Sequence, residues 1–314
     1  MVLIAGGTGF VGAGIVRELA RRGKQVAVLT RDARRAQGRF PGLDVECREG
    51  DVRDSASLRP AVQGADVVIG CVQFPNSPIE NKRRGYTFEE IDAAGTERLV
   101  AAAKDGGVKR FVYLSGAGAA PDARYHWFRA KWRAETAVRG SGIPYVIFRP
   151  SWVFGPEDAA LNRFLRMARF LPFVPIIGDG NKQMLQPVFI DDVARAVAEA
   201  VDSPAAENQV FEIGGPEVLS MNQIVRTALE VMGRRRLLAP LPKRLMKLAA
   251  TFLRLLPGPP LTPDAVEFIT MGALADPKEV QEKLGVRVTP LREALATYLG
   301  KPSPPAPLPR AGEG

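Results

Sequence analysis

The sequence predicts an α/β fold, a doubly wound parallel sheet with a smaller, interleaved C-terminal lobe. Three observations lead there. Short β-rich runs alternate with helical patterns through the first 150 residues. Glycines crowd the junction between the first run and the first helix, and the alternation loosens beyond Pro150.

In chain order, residues 2–5 read as a strand and 10–22 as a helix with Val11, Ile15 and Leu19 on one stripe. Residues 25–30, 44–49 and 65–72 read as further strands. Residues 87–104 read as a helix on the stripe Ile91, Leu99 and Val100, and 110–115 as a fifth strand. A helix near 124–139 and a sixth strand at 145–149 complete the half. Six strands with intervening helices match the dinucleotide-binding, or Rossmann, architecture.

Beyond Pro150, a helix near 161–170 gives way to a proline-broken stretch, 171–178. Residues 185–190 read as a strand, 191–201 as a helix and 209–213 as a strand. Helices are expected at 221–232, 243–256, 263–270, 278–284 and 290–299. The expected division is a Rossmann core at 1–150 and a smaller lobe at 151–300, with about 185–214 returning to the core. Residues 301–314 are Pro-rich and nearly free of bulky apolar side chains, so a disordered tail is expected.

A chain of 314 residues is too long for a disulfide-stapled module. Two cysteines, Cys47 and Cys71, and one histidine, His126, exclude a disulfide framework, Cys/His zinc spacing and chemistry built on several histidines. The run Met1–Ala5 is too short for a targeting segment, and no apolar run reaches the roughly 18–20 residues of a membrane span. A cytoplasmic protein, soluble or peripheral to the cytoplasmic membrane, is expected.

The segment Ala5-Gly6-Gly7-Thr8-Gly9-Phe10-Val11-Gly12 lies between the first strand and the first helix. Gly6, Gly9 and Gly12 allow a tight turn and a close approach of backbone to pyrophosphate, while the helix start supplies N–H donors and partial positive charge. At a strand–helix junction that spacing predicts dinucleotide binding. The second strand ends at Thr30, where NAD sites usually carry an acid, and Arg31, Arg34 and Arg35 follow. A guanidinium favours a 2′-phosphate, so NADP(H) is favoured. Asp32 keeps NAD(H) open.

On these residues the chain resembles the extended and atypical short-chain dehydrogenase/reductase superfamily, over nearly its whole length to about Leu299. Further support comes from Gly50-Asp51-Val52-Arg53-Asp54, from residues 107–115, from Arg149-Pro150-Ser151-Trp152-Val153-Phe154-Gly155-Pro156 and from residues 187–194. The resemblance implies that Asp51 and Val52 lie by the adenine, and that Val72 and Gln73 pass the cofactor ribose. It places Pro150, Ser151 and Val153 beside the nicotinamide. Within the superfamily the chain is most similar to the nucleotide-binding accessory subunit of respiratory complex I and its bacterial relatives. Pro259-Pro260-Leu261-Thr262-Pro263-Asp264 and the ending Leu284-Gly285 to Tyr298-Leu299 carry that likeness.

Active members use a tyrosine four residues before a lysine. The lysine holds the ribose and lowers the phenol's pKa. Here Lys131 is present, but Trp127 stands four before it, and an indole N–H does not titrate usefully. Trp127 is either core or a cap on the nicotinamide pocket. Tyr125, six before Lys131, falls about 240° away on an ideal helix and reaches in only if the helix starts after it. The serine position falls on Gly116, with Ser115 one residue early and expected along the cofactor. Glu135 is expected to pair with Lys131 at i,i+4, and Cys71 to be a small apolar filler with no thiolate character.

These departures imply a nucleotide-binding protein with weak or no turnover, in a structural or sensory role. A reductase or epimerase using Tyr125 and Lys131 is the alternative, and an assembly or scaffold protein of a membrane complex is a third reading. The net charge is +9. No aromatic-interleaved basic stripe or helix-turn-helix pattern accompanies it, so sequence-specific nucleic-acid binding is not expected. Residues 234–256 combine arginines with an amphipathic apolar stripe, expected to pack on the lobe itself or to meet a protein complex or an anionic membrane surface.

Overall fold

Strand β1 (Val2–Ala5) is buried along its whole length and lies near the middle of a seven-stranded sheet in a computed structural model that describes residues 1–74, 80–253 and 262–300. Helix α1 (Phe10–Arg21) leads to β2 (Val26–Thr30), α2 (Ala33–Gln37), β3 (Val45–Glu49), α3 (Ser55–Val62) and β4 (Val67–Gly70). A π-helical turn, Glu89–Ala94, runs into α4 (Gly95–Asp105), followed by β5 (Arg110–Leu114), α5 (His126–Gly140) and β6 (Tyr145–Pro150).

The second half holds β7 (Val153–Phe154), α6 (Ala159–Phe170), β8 (Phe173–Ile177), β9 (Met184–Leu185), β10 (Val188–Phe189), α7 (Ile190–Asp202) and β11 (Gln209–Ile213). Then come β12 (Leu219–Ser220), α8 (Met221–Val231), β13 (Leu237–Leu241), α9 (Lys243–Leu253), α10 (Pro263–Thr270), α11 (Lys278–Leu284) and α12 (Leu291–Leu299). The main sheet runs β11-β6-β5-β4-β1-β2-β3 with every pair parallel. The order reverses between β1 and β4, which opens a crevice at their carboxyl ends.

Side-chain alternation sorts β1 between two cores. Val2 and Ile4 face α1 and α7 with Ile15, Leu19, Val193 and Val197, whereas Leu3 and Ala5 face the side of Leu58, Leu99 and Val138. A third cluster, with Phe154, Leu165, Val174, Ile224 and Leu295, fills the C-terminal lobe.

The structure corrects several expected elements. Residues 171–178 are not simply broken by prolines: β8 pairs in parallel with β13, Phe173 opposite Leu237. Both members of a two-stranded pair are edges, so Pro175 and Pro240 can sit where their missing N–H faces away from the partner. The expected strand 185–190 splits around Pro187 into β9, antiparallel to β12, and β10, parallel to β7. The expected helix 87–104 is interrupted by the π-helical turn. Helices α2 and α3 escaped the periodicity reading; each is short and capped by an aspartate, Asp32 accepting from Arg35 N–H and Asp54 from Ala56 N–H. The end of the 243–256 helix, the Pro259-Pro260-Leu261 motif and the 301–314 tail lie outside the described residues.

Candidate functional site

At the end of β1 the chain turns through Gly6, whose φ of +85° suits glycine. A Cβ there would stand 2.7 Å from the Cys71 carbonyl group, and one on Gly12 would stand 2.2 Å from the Gly6 oxygen. Gly7 is pressed on Val28, and Gly9 N–H donates to the Gly6 carbonyl at 3.0 Å. Gly9 caps α1 without any side-chain acceptor, and the first turn holds no acidic residue. The N–H groups at Phe10, Val11 and Gly12 therefore begin a positive helix end that neither its cap residue nor its first turn neutralises. Thr8 is exposed on the rim.

Beyond β2, Thr30 Oγ1 is hydrogen-bonded to the Asp32 backbone, and the Asp32 carboxylate accepts from Arg35 N–H at 3.0 Å. Asp32 is thus occupied as a helix cap. Arg31, Arg34 and Arg35 are exposed and form no ion pair among the described residues. Asp51 pairs with Arg53 at 2.7 Å, and that guanidinium holds its carboxyl below the usual range. Val52 is buried against Gly95, where a Cβ would approach within 2.9 Å.

At the other end of the crevice stands Lys131, 7% exposed on α5. Its ammonium lies 3.3 Å from Asp92 Oδ1 and 5.8 Å from the centre of the Tyr113 ring. Burial works to depress its pKa, but Tyr113 and Asp92 outweigh that and leave it raised. The expected Glu135–Lys131 pair does not form. Glu135, fully buried, accepts instead from Ser115 Oγ at 2.6 Å, Arg139 at 2.8 Å and Arg149 at 2.7 and 2.8 Å. Ser115 thus directs its hydroxyl to Glu135. Gly116 lies under the Lys131 stem, where a Cβ would meet Cδ at 3.5 Å.

Trp127 is 5% exposed, stacked on Tyr125 (4.6 Å between centroids, 6° between planes) and edged by Phe268 of α10. Phe74 and Phe88 close the same aromatic cluster. Tyr125 is the N-cap of α5, so the helix does start after it, and its hydroxyl meets Glu267 Oε2 at 3.1 Å. Pro150 and Val153 are half-buried at the start of the second lobe, and the Ser151 hydroxyl donates to the Gln186 carbonyl. Val72 packs on the core beside Gln73, whose side chain is exposed.

The Cys71 thiol donates to the Ala5 carbonyl at 3.0 Å, and burial pushes its pKa up to about 12. It is no thiolate. His126 Nε2 stands 3.8 Å from Glu80, beyond hydrogen-bond reach. No cluster of metal-ligating side chains exists among the described residues.

Glu267 closes the site from the second lobe. Lys243 at 2.9 Å and Lys247 at 2.6 Å, with Tyr125, hold its carboxyl down at about 2 against the effect of burial. A depressed folded-state pKa gives stability that is full above the unfolded value of about 4.5 and is lost as pH falls toward 2. The junction of α9 and α10 with α5 is therefore expected to loosen across that window. Hydrogen exchange in 243–253 and 263–270 should rise there in the native protein and lose that pH dependence in Glu267→Gln.

The arrangement fits a dinucleotide: a cradle closed to any Cβ, a bare helix start over a topological switch point, arginines at the second-strand end and a buried lysine opposite. The site and fold define an NAD(P)-binding protein of Rossmann type. The NAD(P)H-binding family matches residues 6–204, and the chain belongs to it, as an atypical short-chain dehydrogenase/reductase. Its relatives include the rat (Rattus norvegicus) mitochondrial NADH dehydrogenase [ubiquinone] 1 alpha subcomplex subunit 9. The two are 31% identical over 294 residues, covering 92% of this chain and 76% of the relative. The Xenophilus azovorans NAD(P)H azoreductase is 28% identical, covering 74% of each chain. In fold it is similar to the Escherichia coli NADPH-dependent quinone oxidoreductase QOR2 solved with NADPH. That match has a TM-score of 0.71 and 22% identity, and covers 95% of this chain and 99% of the other.

Sequence reasoning missed Asp92, Glu267 and Phe74. The i,i+4 rule drew attention to Glu135, while the actual partners of Lys131 and Tyr125 come from distant segments.

Proposed function

We propose that the protein binds NADP(H) in preference to NAD(H) with weak or no turnover, the nucleotide serving a structural or sensory role. The observation carrying this is the side chain one turn before Lys131: a buried indole locked in an aromatic cluster, where a titrating hydroxyl is needed to pass a proton to a substrate. Tyr125, the phenol stacked on that indole, is engaged by Glu267, and burial raises its pKa; Tyr113, beside Lys131, is fully buried, and burial pushes its phenol up to about 12. A bound nicotinamide would supply hydride chemistry; the chain's own residues bind and orient. Calorimetric titration with NADP(H) and NAD(H) tests the reading, and binding of neither at millimolar concentration would overturn it.

The NADP(H) preference rests on Arg31 lying open while Asp32 is spent on a helix cap. Arg31→Ala should weaken NADP(H) binding by roughly tenfold to a hundredfold, the value of one charge-assisted hydrogen bond. NAD(H) affinity should hardly move. Equal losses for both would withdraw the preference.

A second reading concerns partners. Similarity to complex I subunits supports a place beside a membrane protein complex, with a cytoplasmic location at the membrane face. On α9, Leu245, Leu248 and Phe252 are 57%, 56% and 65% exposed, and Arg244 lies on the same helix. An apolar face with basic neighbours suits an anionic bilayer. No helix among the described residues is long and apolar enough to cross one. Co-sedimentation with anionic vesicles at low salt tests this arm, and Leu248→Glu should abolish it.

A further inference from the structure

Trp127 carries a hydrogen-bond donor that the chain itself leaves unused. The residue is 5% exposed, and its indole N–H meets no acceptor among the described residues. The ring is firmly held. Tyr125 stacks on it at 4.6 Å, Phe88 packs at 6.0 Å and Phe268 of α10 meets it edge-on at 6.1 Å. Tyr125 is anchored in turn by Glu267, which Lys243 and Lys247 grip from α9. That frame gives the indole little freedom to swing its N–H toward a partner.

A sealed donor without an acceptor is costly, and native interiors rarely keep one without a reason. Trapped water does not remove the cost here. A buried water needs at least two polar partners, and the side chains around the indole are rings and aliphatics, Phe74, Phe88, Ile91 and Phe268 among them. Position supplies the reason. Trp127 and Lys131 stand four apart on α5, so both buried side chains rise from one face of the helix, at the end of the crevice away from the glycine loop.

We infer that Trp127 is a nucleotide-binding residue whose indole N–H donates to a neutral oxygen on the nicotinamide half of the dinucleotide, a carboxamide carbonyl or a ribose hydroxyl. This rests on the nucleotide-binding reading above. The phosphates belong at the bare helix start, which leaves the uncharged end of the ligand for an uncharged donor. An indole N–H keeps its proton throughout the physiological range. The site thus holds the nicotinamide half with a group that binds without passing a proton.

Exchanging the Trp127 indole for benzothiophene keeps the ring shape and removes only the N–H. Calorimetry with NADP⁺ and with adenosine 2′,5′-bisphosphate, which lacks the nicotinamide half, separates the two ends of the site. NADP⁺ affinity is expected to fall roughly twofold to tenfold, the value of one neutral hydrogen bond, while bisphosphate affinity stays native. The unliganded variant should melt about 2 °C or more above the native protein, because an unsatisfied buried donor is gone. Trp127→Phe should repeat the split between the two ligands, and it decides the matter if the benzothiophene protein fails to fold. Equal losses for both ligands, or unchanged NADP⁺ affinity, overturn the inference while the nucleotide-binding reading stands. A melting midpoint lowered by the benzothiophene exchange also overturns it, since the N–H then has an acceptor in the free protein. Failure of the native protein to bind NADP⁺ overturns both together.

Discussion

Gly12→Ala is expected to weaken dinucleotide binding by about a hundredfold or more. The added Cβ would lie 2.2 Å from the Gly6 oxygen and 2.8 Å from Gly7 Cα, both backbone atoms that no rotamer change can move aside. The loop must shift off the helix start, and two or more charge-assisted N–H bonds to phosphate are lost together, each worth roughly 1.5–3 kcal/mol. Overpacking also costs about 1–3 kcal/mol of stability. Calorimetry against Gly140→Ala, where a Cβ meets nothing within 4 Å, isolates the effect. Near-native affinity in Gly12→Ala would mean that the loop does not cradle phosphate.

The second large effect lies behind the site. Glu135→Ala strips the acceptor from Ser115, Arg139 and Arg149 at once, and the Arg149 side chain is only 18% exposed. An uncompensated buried charge costs about 3–5 kcal/mol. Thermal unfolding should show a midpoint lower by roughly 10 °C. A loss below about 1 kcal/mol would show that water replaces the carboxylate without penalty.

The parallel sheet was legible because its strands are buried on both faces and so read as unbroken apolar runs, as in Val67–Gly70. The glycine loop was legible because its constraint is local: Gly6, Gly9 and Gly12 answer to one another across six residues. What escaped was contact between distant segments. Tyr125 and Glu267 are 142 residues apart, Phe74 and Asp92 are 18 apart across a loop, and β8 meets β13 only through tertiary packing. The i,i+4 rule pointed Glu135 at Lys131, but it describes exposed helix faces. Here both side chains are buried, and Glu135 turned to two guanidiniums while Lys131 turned to Asp92.

The aromatic packing around Trp127 also gives the molecule an optical property. Of its three tryptophans, Trp132 has the guanidiniums of Arg139 and Arg149 over its ring, at 5.2 and 5.7 Å from the centroid. Trp127 is sealed from water one helical turn from Lys131, and a sealed indole emits toward the blue, where dihydronicotinamide absorbs. Arrival of a reduced dinucleotide should therefore be reported by quenching of Trp127 emission and by light transferred to the nicotinamide. Trp127→Phe should remove most of that signal while calorimetry still records binding, which makes the residue in the catalytic tyrosine's place a built-in reporter of occupancy.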